Sequence, residues 1–75
     1  VKKKLSSGVI VTVFDSSCMY TFYDKLTTFS YTQLKGSDIG IMVVLEIDED
    51  FRFSKVFIPS VGIVGWIVSR FLRKV

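Results

Sequence analysis

The stretch Gly62-Ile63-Val64-Gly65-Trp66-Ile67-Val68-Ser69-Arg70-Phe71-Leu72 constrains this chain more than any other. It reads as a short β-strand, Ile63 to Val68, entered through a tight turn at Val61-Gly62. A single 3-10 turn at Ser69-Arg70-Phe71 follows at once, and Leu72 to Val75 forms a short last strand. β-Branched and aromatic side chains between turn residues favour an extended backbone. The competing reading is a membrane-spanning helix, because Val56 to Ser69 carries no charge and Lys55, Arg70, Arg73 and Lys74 flank it. Such a helix needs roughly 20 apolar residues. This window is shorter, and Pro59, Ser60, Gly62 and Gly65 punctuate it as turns do. A membrane partner is not expected.

Period-two patterning extends through most of the chain. Val9 to Phe14 is the first expected strand, ended by the turn formers Asp15-Ser16-Ser17. The preceding Val1 to Gly8 is basic, then apolar, like the opening of a signal peptide. The apolar run after it stops at Asp15 and has no small-residue cleavage site, so it is read as a strand. Residues 18 to 36 form a long connection, read as an irregular antiparallel hairpin because a structureless loop of that length is unusual in a small domain. Cys18, Tyr20 and Phe22 share one face of its first arm. Phe29, Tyr31 and Gln33 share a face of its second, and Asp24-Lys25-Leu26 turns between them. Ile39 to Ile47 follows as the strongest strand, with Ile39, Ile41, Val43, Leu45 and Ile47 on one face and Met42 and Val44 making the other apolar as well. Asp48-Glu49-Asp50 is a charged hairpin turn. In the return strand, Phe51 to Ile58, the apolar alternation slips by one residue, which predicts a β-bulge near Ser54-Lys55. Pro59 ends that strand.

A chain of 75 residues makes one domain with one small core, here residues 1–75, with 1–7 as a basic tail. Hydrophobic residues are 49% and aromatics 15% of the sequence, which excludes an ordinary disordered segment. A single barrel has only one interior, so strands apolar on both faces predict a covered outer stripe. A homo-oligomer is expected, with Met42, Val44 and Val64 or Trp66 near the contact.

This order of elements resembles the SH3 superfamily. Val13-Phe14-Asp15 stands where that family has Leu-Tyr-Asp in its first strand. Gly62-x-x-Gly65-Trp66-Ile67-Val68-Ser69-Arg70-Phe71-Leu72 stands where the family ends in Gly-x-x-Gly, two hydrophobic residues and Pro-Ser-Asn-Tyr-Val. The layout covers most of the chain; the close match covers about a dozen residues, and such short patterns are weakly specific. The resemblance implies an all-β, SH3-like barrel of about five strongly bent antiparallel strands, with a long hairpin-like first loop and one 3-10 turn before the last strand. The chain is also similar to small SH3-like proteins of tailed phages and marine sequence collections, which implies an accessory or structural role in the cell interior or the virion. The family's groove uses tyrosine hydroxyls, a Trp and a Pro. Phe14 and Phe71 have no hydroxyl, Phe51 or Phe53 replaces the Trp, and Val68 replaces the Pro, so recognition of proline-rich peptides is not implied.

No motif carries chemistry. The absence of His removes the usual general base and the commonest metal ligand. Cys18 is the one cysteine, with no partner for a disulfide or a zinc site, and is read as a buried structural thiol. Glu46, Asp48, Glu49 and Asp50 match no calcium loop and read as a solvated hairpin tip. No enzyme activity, cofactor, metal site or catalytic residue is expected.

Two sets of residues remain as candidates for binding. Tyr20, Phe22, Phe29, Tyr31 and Trp66 are candidate partner-binding residues, suited to a protein surface or to stacked bases, against a minor core under the loop. Lys2, Lys3, Lys4, Arg70, Arg73 and Lys74 open and close the chain. In an SH3-like barrel they form one basic pole, a candidate phosphate-binding patch, against a solubilising surface. The leading expectation is a protein-interaction module, with a nucleic-acid binder as the alternative.

Overall fold

Each long apolar segment of the chain lies in one antiparallel sheet. The computed structural model describes residues 5–26, 30–50 and 52–75. Its elements are β1 (Ile10–Val13), β2 (Met19–Tyr23), β3 (Tyr31–Lys35), a single helical turn α1 (Gly36–Ile39), β4 (Met42–Ile47), β5 (Phe53–Ile58), β6 (Ile63–Val68), a 3-10 turn (Ser69–Phe71) and β7 (Leu72–Lys74). The seven strands lie in the order β3-β2-β6-β5-β4-β1-β7. The all-β expectation holds, as do the bounds of β6 and of the 3-10 turn. The strand count exceeds five because both arms of the long connection pair with each other, from Met19↔Lys35 to Tyr23↔Tyr31. They then join β6 through Tyr23↔Trp66.

One sheet with one apolar face has to cover that face with itself. The core gathers Val11 and Val13 of β1, Tyr20 and Phe22 of β2, Ile39 of α1, Met42 and Val44 of β4, Val56 and Ile58 of β5, Ile67 of β6 and Leu72 of β7 into one cluster. Residues from both ends of the strand order therefore meet, and the sheet is rolled. Its terminal strands, β3 and β7, do not pair with each other. Gly65 makes one tight approach possible: a Cβ there would lie 2.9 Å from Phe22 Cβ. The turn α1 packs Ile39 into the cluster, and the Ser60 hydroxyl is within hydrogen-bonding distance of the Asp38 and Ile39 carbonyls, at 2.8 and 3.0 Å.

The stretch 39–47 departs from expectation in three ways. The strand begins at Met42, because Ile39 closes α1 and Gly40 takes φ +67°, a left-handed value that breaks an extended run. The inward face is the one carrying Met42 and Val44, both fully buried, while Ile41 and Leu45 are exposed. These two buried residues cannot lie at a contact between copies, which corrects that part of the oligomer expectation. The bulge lies in β4, not at Ser54-Lys55. Val44 faces Val56 and Glu46 faces Lys55, so Leu45 is the extra residue. β5 alternates without a slip, with Ser54, Val56 and Ile58 all buried. The slip read from Phe53 and Lys55 disappears because both lie on the outward face, opposite Val68 and Trp66, and the inward position between them is Ser54. Ser54 is buried with its hydroxyl 2.7 Å from that of Ser69, so its polar group is satisfied inside.

At the start of the chain, Leu5 packs against the core and the Gly8 N–H donates to the Val44 carbonyl at 2.7 Å. The expected basic tail is thus anchored from Leu5 onward; Lys2, Lys3 and Lys4 lie outside the described residues.

Candidate functional site

Residues paired across an antiparallel ladder share a face of the sheet. Three cross-strand rows therefore lie on the face opposite the core. The first is Ile10–Val43–Phe57–Val64, running across β1, β4, β5 and β6. The second is Glu46–Lys55–Trp66–Tyr23–Tyr31. The third is the pair Phe53–Val68.

That third pair floors an open cleft of about 420 Å³, lined by Arg52, Phe53, Val68 and Arg70. Its walls are held by the backbone: the Ser69 N–H donates to the Arg52 carbonyl at 2.7 Å, tying the end of the β4–β5 turn to the 3-10 turn. The Arg70 guanidinium lies 5.5 Å from the centre of the Phe71 ring, a cation–π distance. The cleft therefore combines an apolar pair with two cationic side chains.

The expected partner-binding residues divide. Tyr20 and Phe22 are 6% and 1% exposed and belong to the core, which corrects their assignment as contacts: a ring so enclosed presents no face to a partner. The minor core weighed under the loop is in fact part of the main one. The Tyr20 hydroxyl also donates to the Asp15 carbonyl at 2.9 Å. Tyr31 is exposed and meets Tyr23 edge to face, 6.0 Å between centroids. Trp66 is half-buried on the outer face beside Tyr23 and Lys55. Phe29 lies outside the described residues.

The basic set divides too. Arg73 and Lys74 are exposed in β7, in register with Thr12 and Val11. The Arg73 guanidinium lies 5.8 Å from the centre of the Phe14 ring. Arg70 belongs to the cleft. Arg52 was not a candidate from the sequence; what could have found it is its place two residues after the acidic turn and one residue before an expected groove position, Phe53.

Cys18 is exposed, not buried. It precedes β2 in a turn built on Asp15, whose carboxylate Oδ1 accepts from the Ser17 N–H at 2.9 Å and the Ser17 hydroxyl at 2.6 Å. Donation from Ser17, side chain first, holds the Asp15 carboxyl below its usual range. The hydrogen bond to Asp15 pushes the Cys18 thiol up, which opposes nucleophilic use. Glu46 lies 3.9 Å from Lys55, an exposed pair of small energetic consequence. Among the described residues, no group of three or more His, Cys, Asp or Glu side chains converges as a metal site would, and no helix is long and apolar enough to cross a membrane.

No protein-family model, no curated protein and no solved structure matches this chain.

Proposed function

We propose that the chain is a non-enzymatic SH3-like small barrel that acts as a protein-interaction module, holding an extended acidic segment of a partner in the Arg52–Phe53–Val68–Arg70 cleft. Support for the SH3-like part is the run β7-β1-β4-β5-β6, the paired hairpin between β1 and β4, and the 3-10 turn between β6 and β7. The observation that carries the function is the cleft itself. Phe53 and Val68 are in register across β5 and β6, and Arg52 and Arg70 stand beside them. The apolar pair takes an aliphatic or aromatic anchor, and two arginines favour carboxylates near it.

The nucleic-acid reading rests on Arg52, Arg70, Arg73 and Lys74. Against it, the row Ile10–Val43–Phe57–Val64 carries no charge and only one ring, and in the wider row Glu46–Lys55–Trp66–Tyr23–Tyr31 the one cation, Lys55, lies 3.9 Å from a carboxylate, so the three rings there stand beside no cation free of a carboxylate for a phosphate. The test is a chemical-shift titration at physiological salt, with an Asp/Glu-rich peptide carrying a central Leu or Phe in one arm and a mixed-sequence oligonucleotide in the other. Peptide-induced shifts at Phe53, Val68 and the two arginine side chains, lost in the double variant Arg52→Glu/Arg70→Glu, are expected. Shifts with the oligonucleotide alone, whose affinity falls by about 0.9 log units per tenfold rise in salt for each phosphate neutralised on duplex DNA, would put the nucleic-acid reading first.

A further inference from the structure

The strand β3 ends the sheet, and the direction of its backbone groups can be worked out. In the β2–β3 ladder the Asp24 N–H donates to the Ser30 carbonyl at 3.0 Å and the Gly36 N–H to the Cys18 carbonyl at 2.8 Å. The register runs Tyr20↔Leu34 and Phe22↔Thr32 between those two pairs. Hydrogen-bonded and non-bonded pairs alternate in an antiparallel ladder. Leu34 and Thr32 therefore spend their main-chain groups on β2, whereas Tyr31, Gln33 and Lys35 point theirs away from the sheet. Lys35 precedes α1 as its N-cap, so its carbonyl takes the first helical hydrogen bond and its N–H stays outward. Among the described residues, none supplies a main-chain partner on that side.

We infer that this edge pairs with the same edge of a second copy, antiparallel about a two-fold axis through Gln33. In that register Gln33 faces Gln33 of the other copy, and each exchanges its N–H and C=O with the other. The N–H of Lys35 meets the outward carbonyl of Tyr31 across the axis. The side chains fit the same symmetry. Lys35 comes opposite Tyr31, so no like charges face each other, and an ammonium beside a phenol ring is a favourable contact. Each such pair extends to Met19 on one side and Tyr23 on the other, which brings cover to Met19 and Tyr31, both more than half exposed in the single copy. A lysine on an edge strand ordinarily blocks such pairing; here the register turns it toward an aromatic ring. This surface is separate from the cleft and does not depend on it.

The residue at the axis supplies the experiment. Gln33→Pro removes an N–H that the single copy does not use, so the β2–β3 ladder keeps its own bonds. Sedimentation equilibrium of the full chain up to about 1 mM, where even weak association is populated, should show a monomer–dimer equilibrium that the variant weakens at least tenfold. In the wild type, hydrogen exchange at the Gln33 and Lys35 amides should slow as concentration rises. A monomer throughout, a dimer that Gln33→Pro leaves intact, or concentration-independent exchange at both amides would overturn the pairing. If the proline variant does not fold, the exchange measurement on the unaltered chain decides alone.

Discussion

Tyr20 and Phe71 meet edge to face, their ring centroids 5.6 Å apart at 67°. Yet Tyr20 lies on β2 and Phe71 leads into β7, five strand spacings away in the order of the sheet, a separation of about 24 Å if the sheet were flat. The contact is the most direct measure of how far the sheet rolls. Because no main-chain ladder joins β3 to β7, side chains such as these hold the two halves together.

The Tyr20–Phe71 pair should therefore couple energetically. A double-mutant cycle with Tyr20→Leu and Phe71→Leu, read by urea unfolding, should give an interaction of about 0.5–1.5 kcal/mol. Tyr20→Phe keeps the rings but loses the bond from the Tyr20 hydroxyl to the Asp15 carbonyl, and should cost about 0.5–1.5 kcal/mol. Zero coupling would mean that the roll is held elsewhere.

Gly65→Ala should destabilise by about 1–3 kcal/mol, as overpacking does. The new methyl would sit 2.9 Å from Phe22 Cβ, an atom fixed to the β2 backbone that no rotamer change can move aside. Thermal unfolding checks this, and a neutral result would show that β2 can draw away from β6 freely.

Met42, at the start of β4, and Ile41 just before it should respond unequally. Met42 is fully buried, so Met42→Ala should cost about 2–5 kcal/mol. Ile41 is half exposed, and Ile41→Ala should stay within about 0.5 kcal/mol of the parent. Equal costs at both positions would contradict the inward face assigned to Met42 and Val44.

The Asp15 turn should make Cys18 sluggish despite its exposure. A thiol held above its ordinary range carries less thiolate at a given pH. Alkylation by iodoacetamide at about pH 8, near the ordinary thiol value, should be slower in the folded protein than in urea, and faster in folded Asp15→Asn than in the parent. For Asp15 itself the folded carboxyl is held below its usual range. Its contribution to stability is present above that range and is lost as the pH falls through the depressed value. Asp15→Asn should therefore flatten the acid limb of the stability–pH curve, and an unchanged acid limb would refute the assignment.

The sequence by itself determined much of the local structure. β-Branched runs between Gly, Pro and Asp-Ser breaks marked the extended segments. The ending at Ile63 to Phe71 was legible residue by residue, because a turn glycine, a strand and a 3-10 turn each depend on near neighbours. The roles of Ser54, Met42, Val44 and Tyr20 were decided only by the tertiary structure. A strand apolar on both faces does not say which face turns inward. Alternation in β5 looked broken only until Ser69, fifteen residues away, gave the buried Ser54 hydroxyl a partner. The bulge at Leu45 is a relation between two strands, and neither strand records it alone. The cleft has the same origin. Arg52 and Arg70 are unremarkable charges in the sequence, and they become a pair because β5 and β6 align Phe53 with Val68 and the Ser69 N–H reaches the Arg52 carbonyl. Local chemistry sets which segments extend and where they stop. Long-range register, which no period along one strand encodes, sets which side chains are enclosed and which are left to meet a partner.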